Sequence, residues 1–218
     1  MRLDASAAGL FPIAVTPFTP EGAVDSASVD SMTDFYLASG ATGLTILGIM
    51  GEAPKLELDE SLAITKQVCA RAARIPVVVG VSSPGFAAMR ALARGAMARG
   101  AAGVMIAPPP HLRTDDQIVT YYAQAIEAIG EDIPFVIQDY PLTLTVVMTP
   151  GVLKRIVNNH ASCVMLKHED WPGLEKISAM RGFTADGSMR RISILTGNGG
   201  LFLDFEMERG ADGAMTGY

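Results

Sequence analysis

The chain has 218 residues, of which 49% are apolar and 18% charged, and its net charge is −6. It is too apolar for a disordered segment, has no basic run to hold nucleic acid, and has no apolar run near the ~18 residues of a membrane span. Cys69 and Cys163 lie in apolar stretches and read as small buried hydrophobes; with Asp4 and Pro12 arguing against a signal peptide, a cytoplasmic location is expected.

Leu10 to Thr16 reads as a first strand ended by Pro17, and a Glu21-Gly22 turn follows. Ser26 or Ser28 is expected to cap a helix carrying Val29, Met32, Phe35 and Tyr36 at helical spacing, which ends at Ser39-Gly40. Gly43 to Gly48 is a short apolar strand, and Leu58 to Ala73 is helical. Ile75 to Val81 is continuously apolar, as a strand covered on both faces should be. The alternation goes on with a helix over 87–99, a strand over 103–107, a helix from Thr114 to Ile129 and a strand over 134–138. Next come a helix opened by Pro150, a strand from Cys163 to Leu166 and a helix over 173–180. A strand over 192–196, a helix over 201–209 and a strand over 213–216 finish the chain.

Eight strands alternating with seven helices predict a parallel sheet and a (β/α)8 TIM barrel forming one domain over 1–218. An open doubly wound sheet is the alternative. Gly40, Gly100 and Gly210 each end a helix before a small-residue approach to a strand, a weak internal repeat. No eighth helix follows the last strand, so an apolar strand face is expected to be exposed and the chain is expected to be a fragment of a longer protein.

In such a barrel the chemistry sits at the C-terminal strand ends. Among five lysines, only Lys167 stands at the end of a buried strand, after Val164-Met165-Leu166. Burial disfavours the ammonium, which suits a Schiff-base amine; a lysine snorkelling to water is the alternative. Gly48-Ile49-Met50-Gly51 offers backbone N–H groups to a carboxylate or an oxyanion. Gly197-Asn198-Gly199-Gly200 is expected to open the seventh helix and could hold an anion; it does not fit GxGxxG, because the third position is Phe202. Tyr140 is a candidate proton carrier. His168-Glu169-Asp170 reads as a polar loop, with a metal or acid/base cluster as the alternative. His111, His160 and His168 lack ligand spacing, so no metal and no cofactor are expected.

Lys167, the Gly48-to-Glu52 GxxGE, the opening Val15-Thr16-Pro17-Phe18, Leu195-Thr196-Gly197-Asn198 and the closing Gly210-Ala211-Asp212-Gly213-Ala214-Met215 occur in one order. Together they resemble the dihydrodipicolinate synthase / N-acetylneuraminate lyase family of class I aldolases, over about Gly9 to Tyr218. The resemblance implies a barrel, usually tetrameric, whose lysine forms an imine with pyruvate or another 2-keto acid. It also implies a final helix and a C-terminal helical region, which this sequence does not contain.

The departures sharpen the expectation. Ile49 and Met50 stand where the family carries hydroxyl residues, and Gln138 stands where its catalytic tyrosine does, with Tyr140 two residues on. Pro109-Pro110 replace a tyrosine of the proton relay, and no arginine follows Tyr140. The resemblance therefore implies a Schiff-base lyase, aldolase or dehydratase, rather than the lysine-biosynthetic synthase. Lys167 and Tyr140 are its candidate catalytic residues; Gly48, Ile49, Met50, Gln138, Gly197 and Asn198 are its candidate binding residues. A homo-oligomer, tetramer or dimer, acting on a small 2-keto acid is expected. A non-catalytic keto-acid binder is the second reading and a phosphate-binding barrel the third.

Overall fold

The computed structural model describes residues 1–217; Tyr218, expected just after the last strand, lies outside them. Eight strands are observed: β1 (Gly9–Leu10), β2 (Leu44–Ile46), β3 (Val77–Gly80), β4 (Gly103–Ile106), β5 (Phe135–Asp139), β6 (Cys163–His168), β7 (Ser193–Thr196) and β8 (Gly213–Ala214). The helices are α1 (Ser26–Ala38), α2 (Leu58–Arg71), α3 (Phe86–Ala98), α4 (Asp115–Ile129), α5 (Pro141–Leu144), α6 (Pro150–Asn159), α7 (Leu174–Ala185) and α8 (Leu203–Glu208). All neighbouring strands pair in parallel, in the order β1-β8-β7-β6-β5-β4-β3-β2. The ring closes between β1 and β2, where Thr45 N donates to Pro12 O (2.9 Å) and Ala14 N to Thr45 O (2.8 Å). The fold is the expected TIM barrel. Among the described residues no helix is long and apolar enough to cross a membrane.

Local chemistry explains where the elements depart from expectation. Only two residues of the first strand are regular, because Pro12 has no N–H to give to the ladder. Asp25, rather than Ser26 or Ser28, caps α1, its side chain accepting from Ser28 N. Thr114 and Gln117 form a reciprocal capping box on α4, as Thr114 promised. The short α5 was not expected; it is a single turn set by Pro141 at its first position. The strand face expected to be exposed is not that of β8, whose Gly213 and Ala214 are buried; Leu10 and Val15 of the first strand are exposed instead.

Two apolar layers hold the barrel. One lies between strands and helices and includes Val79, Ile106, Phe135, Ile137 and Ile194; the other fills the interior with Phe11, Ile13, Val78, Met105, Val136, Met165, Leu195 and Met215. Leu3 stoppers the N-terminal end: it is buried in the interior layer, and its N–H donates to Ala102 O at 2.9 Å.

Strand β6 contains the feature that aims the site. Its register with β5 slips between Phe135↔Cys163 and Val136↔Met165, leaving Val164 as an extra residue. In an unbroken strand Cys163 and Met165 would share a face. Here Cys163 belongs to the outer layer and Met165 to the interior. The bulge reverses the phase, so Met165 and Lys167 point inward. Met165 fills the barrel one level below Lys167, so Met165→Ala should lower unfolding free energy by about 2–5 kcal/mol in urea denaturation. Phe35→Ala, at an exposed site on α1, should change it by no more than about 0.5 kcal/mol.

Candidate active site

The register of β5, β6 and β7 sets Gln138, Lys167 and Leu195 at one level inside the barrel. Leu195 is part of the apolar interior, so the lysine stands on a dry floor. Lys167 is only 4% exposed, and its Nζ lies 2.9 Å from Glu169 Oε2. Gln138 Nε2 donates to the same oxygen at 3.0 Å. Burial pushes the Lys167 amine below the ordinary lysine value, and the Glu169 carboxylate opposes that push. The snorkelling alternative is excluded by the burial.

Glu169 was expected in a polar loop, and the structure makes it the partner of the lysine. The signal lay in the spacing: residues two apart on an extended segment share a face, so Glu169 follows Lys167 inward. Its backbone is held on both sides, Glu169 N donating to Asp139 O (2.8 Å) and Asn198 Nδ2 to Glu169 O (3.1 Å). Gly197 gives its side chain room, because a Cβ there would overlap Glu169 Cγ. The loop expected to open the seventh helix does not do so. Asn198–Gly200 is a 3-10 turn and α8 starts only at Leu203, because Gly199 takes a left-handed backbone (φ 66°) that breaks the helix.

A cavity of about 360 Å³ opens at the C-terminal face of the barrel. Gly48, Ile49, Pro84, Pro109 and Leu144 form much of its wall, and Ser82, Ser83, His111 and Gln138 supply polar groups. No Lys, Arg, Asp or Glu lines it among the described residues. Gln138 belongs to both the cavity wall and the ion pair, and so connects the open space to the buried amine.

The remaining candidates lie apart from one another. Met50 is off the cavity wall, its thioether beside Gly217 at the end of the last strand. Tyr140 is half-buried where the chain turns into α5; it lies off the cavity wall and makes no side-chain hydrogen bond among the described residues. The phenol on the wall is Tyr121 of α4, whose hydroxyl donates to Ala107 O at 3.3 Å and is pushed up to about 12 by burial. That donation ties α4 to the end of β4.

A sequence model of the Dihydrodipicolinate synthetase family matches residues 6–217. An L-2-keto-3-deoxyarabonate dehydratase of Azospirillum brasilense is 31% identical over 218 residues, covering 96% of this chain and 67% of that protein. A 4-hydroxy-tetrahydrodipicolinate synthase of Sorangium cellulosum is 32% identical over 161 residues, covering 73% of this chain and 53% of that protein. The crystal structure of a dihydrodipicolinate synthase from Rhodopseudomonas palustris superposes with a TM-score of 0.98 at 65% identity, over 100% of this chain and 72% of that one. This chain thus spans between about half and three quarters of the length of these relatives. By the extent of these matches and by its barrel, the chain belongs to the dihydrodipicolinate synthetase family.

Proposed function

We propose that the protein is a Schiff-base lyase acting on a 2-keto acid, and specifically a dehydratase of 2-keto-3-deoxy acids. The observation that carries this reading is the buried Lys167–Glu169 pair, an amine and a carboxylate 2.9 Å apart beside an uncharged cavity. Lys167 Nζ attacks the C2 keto carbon, and the keto oxygen leaves as water to give the imine. Glu169 takes a proton from C3; the C–H electrons form the C2–C3 double bond, with the protonated imine nitrogen as electron sink. The enamine then expels the C4 hydroxyl, which leaves as water on receiving a proton, and hydrolysis of the remaining imine frees product and lysine. Gln138 holds Glu169 from the cavity side, and the backbone amides of Gly48 and Ile49 are suited to the substrate carboxylate.

One observation favours dehydration over the synthase reaction: among the described residues the cavity wall has no cationic side chain for a second carboxylate. Asn198 and Gly197 serve this scheme by holding Glu169, while Tyr140 and Met50 have no step in it. The enzyme works in the cytoplasm and as a homo-oligomer, the latter supported by exposed apolar side chains such as Leu201, Phe205 and Met207.

Borohydride reduction in the presence of pyruvate should add one pyruvate-derived mass to the peptide carrying Lys167; an unmodified peptide across a series of 2-keto acids sinks the reading. Glu169→Gln should still be trapped, but should slow exchange of the pyruvate methyl protons in D2O, followed by NMR, by about 10²- to 10⁴-fold. A wild-type protein that is trapped yet exchanges no protons is instead a keto-acid binder. The pH dependence has a definite sign. Acylation of Lys167 by a small reagent should reach half its maximal rate below pH ~10.4, the unperturbed lysine value. Glu169 favours the ammonium, so Glu169→Gln should move that midpoint further down; an upward move contradicts the pairing.

A further inference from the structure

Behind the inner face of the strand ends lies a second layer of buried polar groups for which the proposed chemistry has no use. Alternation along β5 and β6 puts Gln138 and Lys167 inside and their successors Asp139 and His168 outside, and these two are paired in register. Both are fully buried. Lys176, in the first turn of α7, reaches in from behind, its Nζ 2.7 Å from Asp139 Oδ2 and 2.7 Å from Asp170 Oδ2. His168 Nδ1 lies 3.8 Å from the same Asp139 oxygen, and Glu206 of α8 is buried close by, with Oε2 unpartnered among the described residues.

The bridge joins two points that bracket the site. Asp139 follows Gln138 directly, Asp170 follows Glu169 directly, and Glu169 N donates to Asp139 O. A side chain that fixes Asp139 and Asp170 relative to each other therefore fixes the backbone on both sides of the Gln138–Glu169–Lys167 contact. Without the ammonium, the buried Asp139 carboxylate would face the partly exposed Asp170 carboxylate with no counter-charge between them, and the two would push the ends of β5 and β6 apart.

We propose that Lys176 is a positioning residue, a cross-strap on the outer face of the barrel that sets Glu169 against Lys167 on the inner face. This inference rests on the Schiff-base reading above, and pyruvate serves as the probe for both. The bridge brings no group to the substrate, so its loss should leave imine formation possible and impair the proton transfer that depends on Glu169.

The test measures borohydride trapping and methyl-proton exchange of pyruvate in D2O for wild type, Lys176→Met and the double variant Lys176→Met/Asp139→Asn. Exchange is expressed per trapping-competent site, so that misfolded molecules do not count. Lys176→Met should lower the saturated exchange rate by ten-fold or more, with half-saturation in pyruvate changed less than three-fold. The double variant removes the stranded buried charge and should recover much of the lost thermal stability while exchange stays low; a merely structural lysine would give recovery of both. Exchange per site within two-fold of wild type in Lys176→Met, or full recovery of exchange in the double variant, overturns the proposal. Failure of the wild type to be trapped at all overturns the lyase reading itself, and this proposal with it.

Discussion

A charged amine survives in a dry interior only beside its counter-charge, and the centre of this molecule is arranged around that requirement. Lys167 and Glu169 are both nearly enclosed, and removing either partner of such a pair costs about 3–5 kcal/mol by stranding the other charge. An apolar pair of equal volume would serve the fold as well or better. On the proposed scheme the ionic pair is a nucleophile with its proton acceptor already in place, as imine chemistry at C2 followed by proton removal at C3 requires. Gln138, Gly197 and Asn198 then follow from the pair: one shares the carboxylate oxygen, one makes space for the side chain, and one holds its backbone.

The strand ends carry this arrangement on two faces. A parallel strand covered on both sides usually presents apolar residues to each. Here the last residues of β5 and β6 are polar on both faces, with Gln138 and Lys167 inward and Asp139 and His168 outward. The inner set meets the cavity through Gln138, while the outer set is sealed beneath α7 and α8. Backbone shared between the two sets links them, with no hydrogen bond or ion pair between their side chains among the described residues.

Much of this was legible in the sequence, and the limits have physical causes. The alternation of apolar runs with Gly-terminated helices revealed the barrel, and the one lysine after a buried run proved to be the buried amine. The phase of that lysine could not be read, because one extra residue, Val164, decides which way it points and a bulge leaves no mark in composition. Glu169 was passed over because acidic residues after a strand usually belong to a solvated loop; only burial distinguishes it from Asp170 beside it. Tyr140 drew attention by residue type as a proton carrier, while the side chain that bonds the Glu169 carboxylate is Gln138. The glycines of 197–200 suggested an anion cradle, but the first of them makes way for a side chain of the protein's own.

Leu3, lodged in the N-terminal end of the barrel and bonded to Ala102, gives the interior a closed bottom. Above it Met105, Val136, Met165 and Leu195 form a buried apolar layer across the barrel interior. On the proposed scheme the cavity at the C-terminal face is the doorway, and a keto acid seated over Lys167 is also its cork. On the proposed scheme the water released when the imine forms and the water needed to hydrolyse it both cross the same threshold as the substrate. The order of events can then be kept by traffic: the covalent intermediate stays dry until the far end of the molecule has changed enough to loosen the seal.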